Sequence, residues 1–406
     1  MNILIVNSFY YPNMQGGAEH SVKLLAENLH KEGLNVGVYS LDGKEKNGIE
    51  CDQINGVHVF RGNDPYFDFH KHVHPNGIIE KTGCRLRSIK NKNIKKDLDY
   101  IYSSFSPDVV HVNNVYGISW YVLKYFHEVG AKVVFTIRDY FLMDPKAKVN
   151  GSNKLVAWAY QKYMREKTCR YVDVVTAPSE FTLRTFTEIG YFRNAIKKCV
   201  VNSIEFNVVD VNQYVNEKLN RHSSDIRFLY VGALTQEKAV DNLIEAIQQV
   251  RNEEISLTLC GDGKLRALVE EVAGKDSRIH YKGQLSPIEV KKEYIKADVL
   301  IAPSIWDEPF GRIVIEGNQY GLAVIGSNKA GIAEILGYMQ SGECIDSESV
   351  LELCKAISKF SDRKYFEKYI KVIPCRLEKY SIHTQVREFI GEFYKLNFKN
   401  LVTKRN

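Results

Sequence analysis

The chain has 406 residues, of which 44% are hydrophobic and 26% charged, as in soluble globular proteins rather than disordered ones. This length exceeds one ordinary hydrophobic core and predicts two domains of similar size. The net charge of +6 suits anionic ligands or membrane lipid and argues against nucleic acid as a partner.

The sequence predicts neither a secretory signal nor a membrane-spanning segment. No run of about eighteen apolar residues occurs, and the N-terminus lacks the basic start and long apolar core of a secretory signal. Its eight cysteines are scattered, with no Cys-x-x-Cys pair and no zinc-like spacing, so reduced thiols are expected. These features predict a cytoplasmic protein, with peripheral attachment to the inner face of the membrane left open.

The chain opens with a predicted strand, loop and helix. Residues 2–6 form an apolar run typical of a buried strand, and Gln15, Gly16 and Gly17 lead into a helical pattern that Gly33 ends. Glycines at a helix start allow a diphosphate to approach closely, although a plain helix-start turn explains them equally well. The loop is not G-x-G-x-x-G, which disfavours a dinucleotide-dependent dehydrogenase.

The stretch from residue 63 to 74 is rich in aromatic side chains, and a run rich in basic side chains begins at residue 85. His70, His72 and His74 alternate without a cysteine nearby or a zinc-like spacing, so a surface loop is favoured over a metal site. Residues 85–105 begin with a run of basic side chains and continue with an apolar stripe at helical spacing. That stripe suits either packing on the core or contact with an anionic membrane surface.

Two further buried strands end in polar residues, namely His111 on the first and Arg138 and Asp139 on the second. A hydrophilic stretch then separates two halves that each alternate strand and helix. The predicted boundaries are 1–200 for an N-terminal domain, 201–225 for a linker, 226–375 for a second domain and 376–398 for a final helix.

The strongest sequence pattern for binding a ligand lies in the second half of the chain. Lys238 follows the strand that ends near Gly232, in a loop where a cation would meet a diphosphate. From residue 299 to 321 a buried strand, a loop and a helix follow one another. The first N–H groups of that helix, near Phe310 to Arg312, lack intrahelical acceptors and suit phosphate.

The run EPFGRIVIE at residues 308–316 resembles the signature of the large retaining glycosyltransferase family 4, in which two glutamates are separated by seven residues. The resemblance implies that Glu308 lies at the transferred sugar or its acceptor. It implies that the backbone around Phe310 and Gly311 holds the sugar and diphosphate, with Arg312 beginning the helix, and that Glu316 binds the ribose hydroxyls.

Other parts of the chain resemble the same family. The run GGAE, with Gly16 and Gly17, is similar to its N-terminal loop facing the donor. Gly283 and Leu285 fall where the family contacts the nucleobase through backbone groups, and Gly232 and Lys238 match its phosphate-binding loop.

Two positions depart from the family pattern. Ala233 stands where an arginine is usual, which leaves Lys238 as the cation of that loop. Arg138 stands where the family commonly has a histidine before Asp139, and an arginine there could bind an anionic donor or acceptor group. His111, Arg138 and Asp139 are expected on the acceptor side. The resemblance assigns that side to the first domain and nucleotide-sugar binding to the second.

The resemblance implies an α/β protein of the GT-B fold, two Rossmann-like doubly wound parallel-sheet domains facing a central cleft, with a last helix returning to the first domain. The implied reaction moves a sugar, with retention, from a UDP- or GDP-sugar to an acceptor hydroxyl, a saccharide or lipid-linked saccharide in surface polysaccharide assembly. The one Asp-x-Asp pair, Asp97 and Asp99, lies in a helical run, so no metal and no cofactor are expected. A nucleotide-sugar 2-epimerase on the same fold and a non-catalytic nucleotide-binding partner protein remain alternatives.

Overall fold

The computed structural model describes residues 1–14, 16–41, 48–63, 91, 94–144 and 154–394. The chain divides into two compact units. Of the described residues, the first unit takes those up to 203 together with 382–394, and the second takes 204–381. The first unit is therefore built from two separate stretches of chain, whereas the second is continuous.

In the first unit eight strands form one sheet in the order β3-β4-β2-β1-β5-β6-β7-β8. All neighbouring pairs are parallel except β3 and β4, which are antiparallel. The strands are β1 (Asn2–Val6), β2 (Asn35–Ser40), β3 (Glu50–Ile54), β4 (Val57–Arg61), β5 (Val109–Val112), β6 (Lys132–Thr136), β7 (Val174–Ala177) and β8 (Ile196–Cys199). Because the order runs outward from β1 in both directions, the topological switch point lies between β1 and β5.

The helices of the first unit follow its strands along the chain. They are α1 (Gly17–Lys31), α2 (Lys95–Phe105), α3 (Tyr121–Glu128), α4 (Lys154–Lys167), α5 (Glu180–Thr187) and α15 (Ile382–Glu388), with a 3₁₀ turn at Cys169–Tyr171 and a π-helical turn at Phe389–Tyr394. The apolar faces of α1 and α15 meet in one core beside β1 and β2. The C-terminal segment thus belongs to the hydrophobic core of the first unit.

The second unit has a six-stranded, entirely parallel sheet in the order β11-β10-β9-β12-β13-β14. Its strands are β9 (Ile226–Val231), β10 (Ile255–Cys260), β11 (Ile279–Gly283), β12 (Val299–Ala302), β13 (Ala323–Ser327) and β14 (Gly342–Ile345). Its helices are α6 (Val208–Leu219), α7 (Val240–Gln249), α8 (Arg266–Ala273), α9 (Pro287–Lys296), α10 (Arg312–Gln319), α11 (Ala330–Met339), α12 (Val350–Phe360), α13 (Arg363–Ile370) and α14 (Ile373–Arg376), with 3₁₀ turns at Gln236–Lys238 and Leu377–Tyr380. The switch point of this sheet lies between β9 and β12.

The stretch 201–225, predicted as a linker, instead contains α6, and the units divide at 203 rather than 200. Val211 and Val215 lie on one buried face of this helix, and the Lys218 ammonium donates a hydrogen bond of 3.0 Å to the carbonyl of Ile295. The stretch looked like a linker because most of its residues are polar, yet three side chains at helical spacing suffice to pack it onto the second unit.

The apolar stripe of the predicted run 85–105 packs inward. Ile94, Leu98, Ile101 and Phe105 are all buried, so this face of α2 contributes to the core of the first unit. The basic residues Arg85, Arg87, Lys90 and Lys92 lie outside the described residues, as do His70, His72 and His74.

Candidate active site

The switch point of the second unit brings together the loops after β9 and β12. Phe228 and Leu229 of β9 pair with Val299 and Leu300 of β12, so the two strands are direct neighbours and end at the same edge of the sheet. Ligands of open parallel sheets bind at this position, because the connections on either side of it diverge and leave a crevice.

Lys238 and Glu308 meet at this edge. The Lys238 ammonium donates to Oε1 of Glu308 and lies 5.2 Å from the centroid of the Trp306 ring. The two side chains keep 28% and 18% of their surface exposed, so the ion pair is accessible to a ligand. The carbonyl of Glu237 accepts hydrogen bonds from the N–H groups of Ile305 (3.0 Å) and Trp306 (3.1 Å), which ties the two loops together.

The β9 loop begins at Gly232 and packs against the glycines that follow β10. A side chain at Gly261 would place its Cβ 1.9 Å from the Gly232 carbonyl, and one at Gly263 would place it 2.4 Å from the Leu234 carbonyl. The close backbone approach therefore requires glycine at both positions. These two residues shape the candidate site, and the run Gly-Asp-Gly after β10 was the sequence signal for them.

The β12 loop ends in a helix N-terminus held by backbone contacts. Gly311 is the N-cap of α10 with φ of +89°, a left-handed conformation that favours glycine. The Phe310 ring is buried, and the Gly331 N–H donates to the Glu308 carbonyl at 3.0 Å. The first N–H groups of α10 are thereby fixed at the same sheet edge as Lys238.

Glu316 lies one turn along α10 and is held from two sides. Its Oε1 accepts from Nε of Arg312 at 2.7 Å, and its Oε2 accepts from the Tyr294 hydroxyl at 3.5 Å. Burial raises the pKa of Tyr294 well above its ordinary value, and the adjacent Glu316 raises it further, so this phenol stays a donor. Tyr294, on α9, is a positioning residue that no sequence pattern indicated.

Gly283 and Leu285 lie at the same edge of the sheet, after the outermost strand. Gly283 ends β11 with φ of +69°, and its carbonyl accepts from the Gly261 N–H at 2.8 Å. Leu285 is half-buried and precedes α9, whose N-cap is Ser286. The structure thus places the predicted residues of the second unit at or just beyond the carboxyl edge of one sheet, except Glu316, which lies one turn along α10.

In the first unit, a buried carboxylate lies at the start of α1, the helix that follows β1 at the switch point of the sheet. Gly16 is the N-cap of α1 and Gly17 its first residue, and the Glu19 carboxylate accepts from the Gly16 N–H at 2.9 Å. Glu19 is buried, and the loss of solvation raises the pKa of its carboxyl. The helix-start turn is therefore present, with Glu19 as a residue that the GGAE run contained but that was not assigned.

Arg138 is clamped by two asparagines. Its Nε and Nη2 donate to Oδ1 of Asn113 at 3.0 and 2.7 Å, and its Nη1 donates to Oδ1 of Asn202. The Asp139 carboxylate accepts from the Phe141 N–H at 2.8 Å, and burial raises its pKa. Both residues follow β6, as the sequence predicted.

His111 occupies a different environment from the one expected. Its ring is fully buried, with Nδ1 2.7 Å from the Tyr394 hydroxyl and Nε2 2.6 Å from Oγ1 of Thr136. Both nitrogens are used within the core of the first unit, so the acceptor-side role does not follow from this placement. The sequence suggested otherwise because a polar residue near a strand end looks identical whether it points into the core or out of it.

The Asp97 and Asp99 carboxylates are engaged by neighbouring tyrosines. The Tyr39 hydroxyl donates to Asp97 at 2.8 Å, and the Tyr125 hydroxyl donates to Asp99 at 2.8 Å. Among the described residues, no three His, Cys, Asp or Glu side chains cluster as metal ligands would. Over the same residues, no helix combines the length and apolarity that crossing a bilayer requires.

Comparisons with known proteins match both halves of the chain. The family model described as "Glycosyltransferase Family 4" matches residues 15–197, and "Glycosyl transferases group 1" matches residues 213–373. A protein of Klebsiella pneumoniae, described as an uncharacterized 42.6 kDa protein in the cps region, is 31% identical over 82% of this chain and 87% of its own. The chain belongs to glycosyltransferase family 4. The predicted family is thereby confirmed.

Solved structures confirm the fold of this glycosyltransferase. Sucrose-phosphate synthase from Thermosynechococcus elongatus superimposes with a TM-score of 0.72 at 16% identity, covering 99% of both chains. Anabaena HepE in complex with UDP superimposes with a TM-score of 0.66 at 16% identity, covering 98% of this chain and 100% of HepE. The glycosyltransferase therefore has the GT-B fold, with two parallel-sheet α/β domains as the sequence predicted.

Proposed function

We propose that this glycosyltransferase moves a sugar from a UDP- or GDP-sugar to a hydroxyl of a lipid-linked saccharide in surface polysaccharide assembly, with retention of anomeric configuration. The observation that carries the proposal is the accessible Lys238–Glu308 ion pair beside the N-terminus of α10. The location of the Klebsiella relative in a cps region supports a role in polysaccharide assembly. The UDP bound in the HepE complex supports a nucleoside-diphosphate sugar as the donor.

The chemistry follows from the charges at this sheet edge. Cleavage of the donor leaves negative charge on the diphosphate, which needs a preorganised cation or aligned N–H donors. When the donor binds, the Lys238 ammonium leaves the Glu308 carboxylate and contacts the diphosphate. The N–H groups at Gly311 and Arg312 bind the same diphosphate oxygens. Glu308, released from the lysine, orients the transferred sugar.

The remaining residues bind the ends of the substrates. Glu316, fixed by Arg312 and Tyr294, accepts from the ribose hydroxyls. In the first unit, the clamped guanidinium of Arg138 and the half-buried Asp139 serve the acceptor side. Because the cation and the helix N-terminus supply the positive charge, transfer requires no metal. Because the apolar stripe of residues 85–105 is buried, any contact of this run with an anionic membrane surface is proposed for its basic side chains alone.

Lys238→Ala tests the assignment directly, with Lys275→Ala as its control. Lys275 is also a lysine of the second unit paired with a glutamate, but it lies on the exposed surface after α8. Without Lys238, donor turnover should fall at least a hundredfold, roughly the cost of losing one strong charge-stabilising donor. The Lys275 variant should keep wild-type turnover.

A thermal-shift screen of nucleotide sugars identifies the donor. Donor consumption is then measured with and without a chelator, which tests whether transfer needs a metal. The anomeric configuration of the product tests retention. Glu308→Gln should retain the donor-induced thermal shift and lose turnover. Full turnover in both the Lys238 and Glu308 variants would refute the site, and an inverted product anomer would refute the retaining mechanism. Conversion of donor alone into a 2-epimer would refute transfer in favour of epimerisation.

A further inference from the structure

Helix α4 (Lys154–Lys167) is anchored to the first unit through one face. Tyr160 and Met164 are 8% and 0% exposed, and the Tyr160 hydroxyl donates to the Phe141 carbonyl at 2.8 Å. The Tyr160 ring also contacts the Phe141 ring edge-on, with centroids 6.4 Å apart. These contacts fix which side of the helix faces the core and which faces outward.

The outward side carries large apolar side chains where polar ones are expected. Leu155 is 73% exposed, Val156 56%, Trp158 56% and Tyr163 44%. Leu155 and Trp158 are three positions apart and lie roughly opposite the buried positions at 100° per residue, whereas Val156 and Tyr163 lie on the flank of that side. A water-facing helix surface normally alternates charged and polar groups, so this apolar outer face indicates a partner.

The same helix is strongly basic. Four cations stand against the single anion Glu166, namely Lys154, Lys162, Arg165 and Lys167. The Lys162 ammonium lies 5.6 Å from the centroid of the Trp158 ring, so the apolar and basic groups share one surface. Lysine is depleted at the centres of protein–protein interfaces, whereas lysines around exposed Trp and Leu are typical of helices at a bilayer surface.

We infer that the outer face of α4 is a membrane-contact surface that rests on an anionic bilayer. Leu155 and Trp158 enter the boundary between headgroups and acyl chains, with Val156 and Tyr163 at headgroup level. The lysines extend their stems along this surface and place their ammonium groups among anionic headgroups. This inference rests on the proposed function in one respect: the membrane-contact surface holds the enzyme where a lipid-linked acceptor is presented.

The experiment is flotation of the full-length protein with vesicles of phosphatidylcholine alone or mixed with phosphatidylglycerol. The test variant carries Leu155→Ser and Trp158→Ser, and the control carries Ile288→Ser and Leu351→Ser. The control residues are apolar and comparably exposed, 72% and 61%, but lie on helices of the second unit. All four positions are on the surface, so neither double variant should change the melting temperature appreciably.

The wild type and the control should float with the mixed vesicles and only weakly with phosphatidylcholine alone. The test variant should bind at least tenfold less. Tryptophan emission should shift to the blue when wild-type protein meets mixed vesicles, and Trp158→Phe should abolish the shift because Trp120 is buried and Trp306 lies in the second unit. Equal binding of test and control variants, or no binding by wild type, would overturn the inference.

Two further readouts separate the alternatives. If the face joins two copies of the chain, the test variant will change the oligomeric mass by light scattering and leave vesicle binding unaltered, which refutes membrane contact. Thermal shift with nucleotide sugars reports the second unit separately. A normal shift with no flotation refutes the membrane surface alone, whereas flotation without any nucleotide-sugar shift refutes the proposed donor.

Discussion

His111 shows how one buried side chain couples stability to pH. Loss of solvation, and to a smaller extent the charge of Arg138, lower its pKa from 6.5 to about 3. Between these values the unfolded chain binds a proton that the folded chain does not. Stability therefore falls as pH decreases from about 6.5 towards 3, by up to about 1.4 kcal/mol per pH unit for this group.

His111→Gln should lower the free energy of unfolding at pH 7 by about 1–3 kcal/mol, because the hydrogen bonds of Tyr394 and Thr136 are disturbed. The variant should also lose part of the acid dependence, so its deficit should shrink between pH 6.5 and 4. Urea titrations at a series of pH values measure both effects. His280→Gln, an exposed histidine, is the control and should change neither. An unchanged pH slope in the His111 variant would contradict the argument.

At the scale of an element, the N-terminus of α10 depends on the backbone of Gly311. Alanine there would have to keep φ of +89° and place its Cβ 2.4 Å from Cγ1 of Ile332. Gly311→Ala should therefore cost about 1–3 kcal/mol from the left-handed conformation and the clash. It should also weaken nucleotide-sugar binding, because relief of the clash moves the N–H groups of the first turn.

Gly337→Ala is the matched control. Gly337 lies within α11, and a Cβ there meets nothing within 4 Å, so alanine should stabilise the protein by about 0.5–1 kcal/mol. Melting temperature and nucleotide-induced shift are measured for both variants. If Gly311→Ala binds the donor as tightly as Gly337→Ala, the helix start does not hold the diphosphate.

Local patterns predicted elements well where one signal dominated. The apolar runs at β1, β9 and β12 and the helix ended by Gly33 all form as predicted. The pattern failed for α6, whose sparse apolar residues resemble a linker until the second unit packs against them. It could not indicate Tyr294 as a partner of Glu316, because that contact joins two helices that approach each other only in the folded unit.

At the scale of the whole molecule, the domain boundaries follow from long-range packing that no local pattern records. The chain leaves the first unit after Ser203 and returns to it at Ile382. The resemblance implied that a last helix rejoins the first domain, but its side-chain partners there, such as Val22 and Leu25 of α1, emerge only from the structure. Family signatures therefore indicated the order of the elements, and the core contacts determine where each unit ends.

That return segment should stabilise the first unit selectively. Ile382, Val386, Phe389 and Phe393 are each no more than 2% exposed and belong to the core cluster with α1 and β1. Burial of such side chains contributes about 2 kcal/mol each, and four of them approach the net stability of a typical domain, about 5–15 kcal/mol. A chain ending at Ser381 should therefore lose the folded first unit at temperatures where the second unit, which is continuous in sequence, stays folded.

Differential scanning calorimetry with limited proteolysis tests this expectation, and a chain ending at Tyr394, which keeps all four side chains, is the control. The chain ending at Ser381 should show an early transition and protease cleavage confined to residues 1–203. Its second unit should keep its melting transition, and its nucleotide-induced shift if donor binding there is as proposed. One cooperative transition at the control's temperature would mean that the return segment contributes little, despite its burial. Loss of both transitions would mean that the second unit depends on the first for its stability.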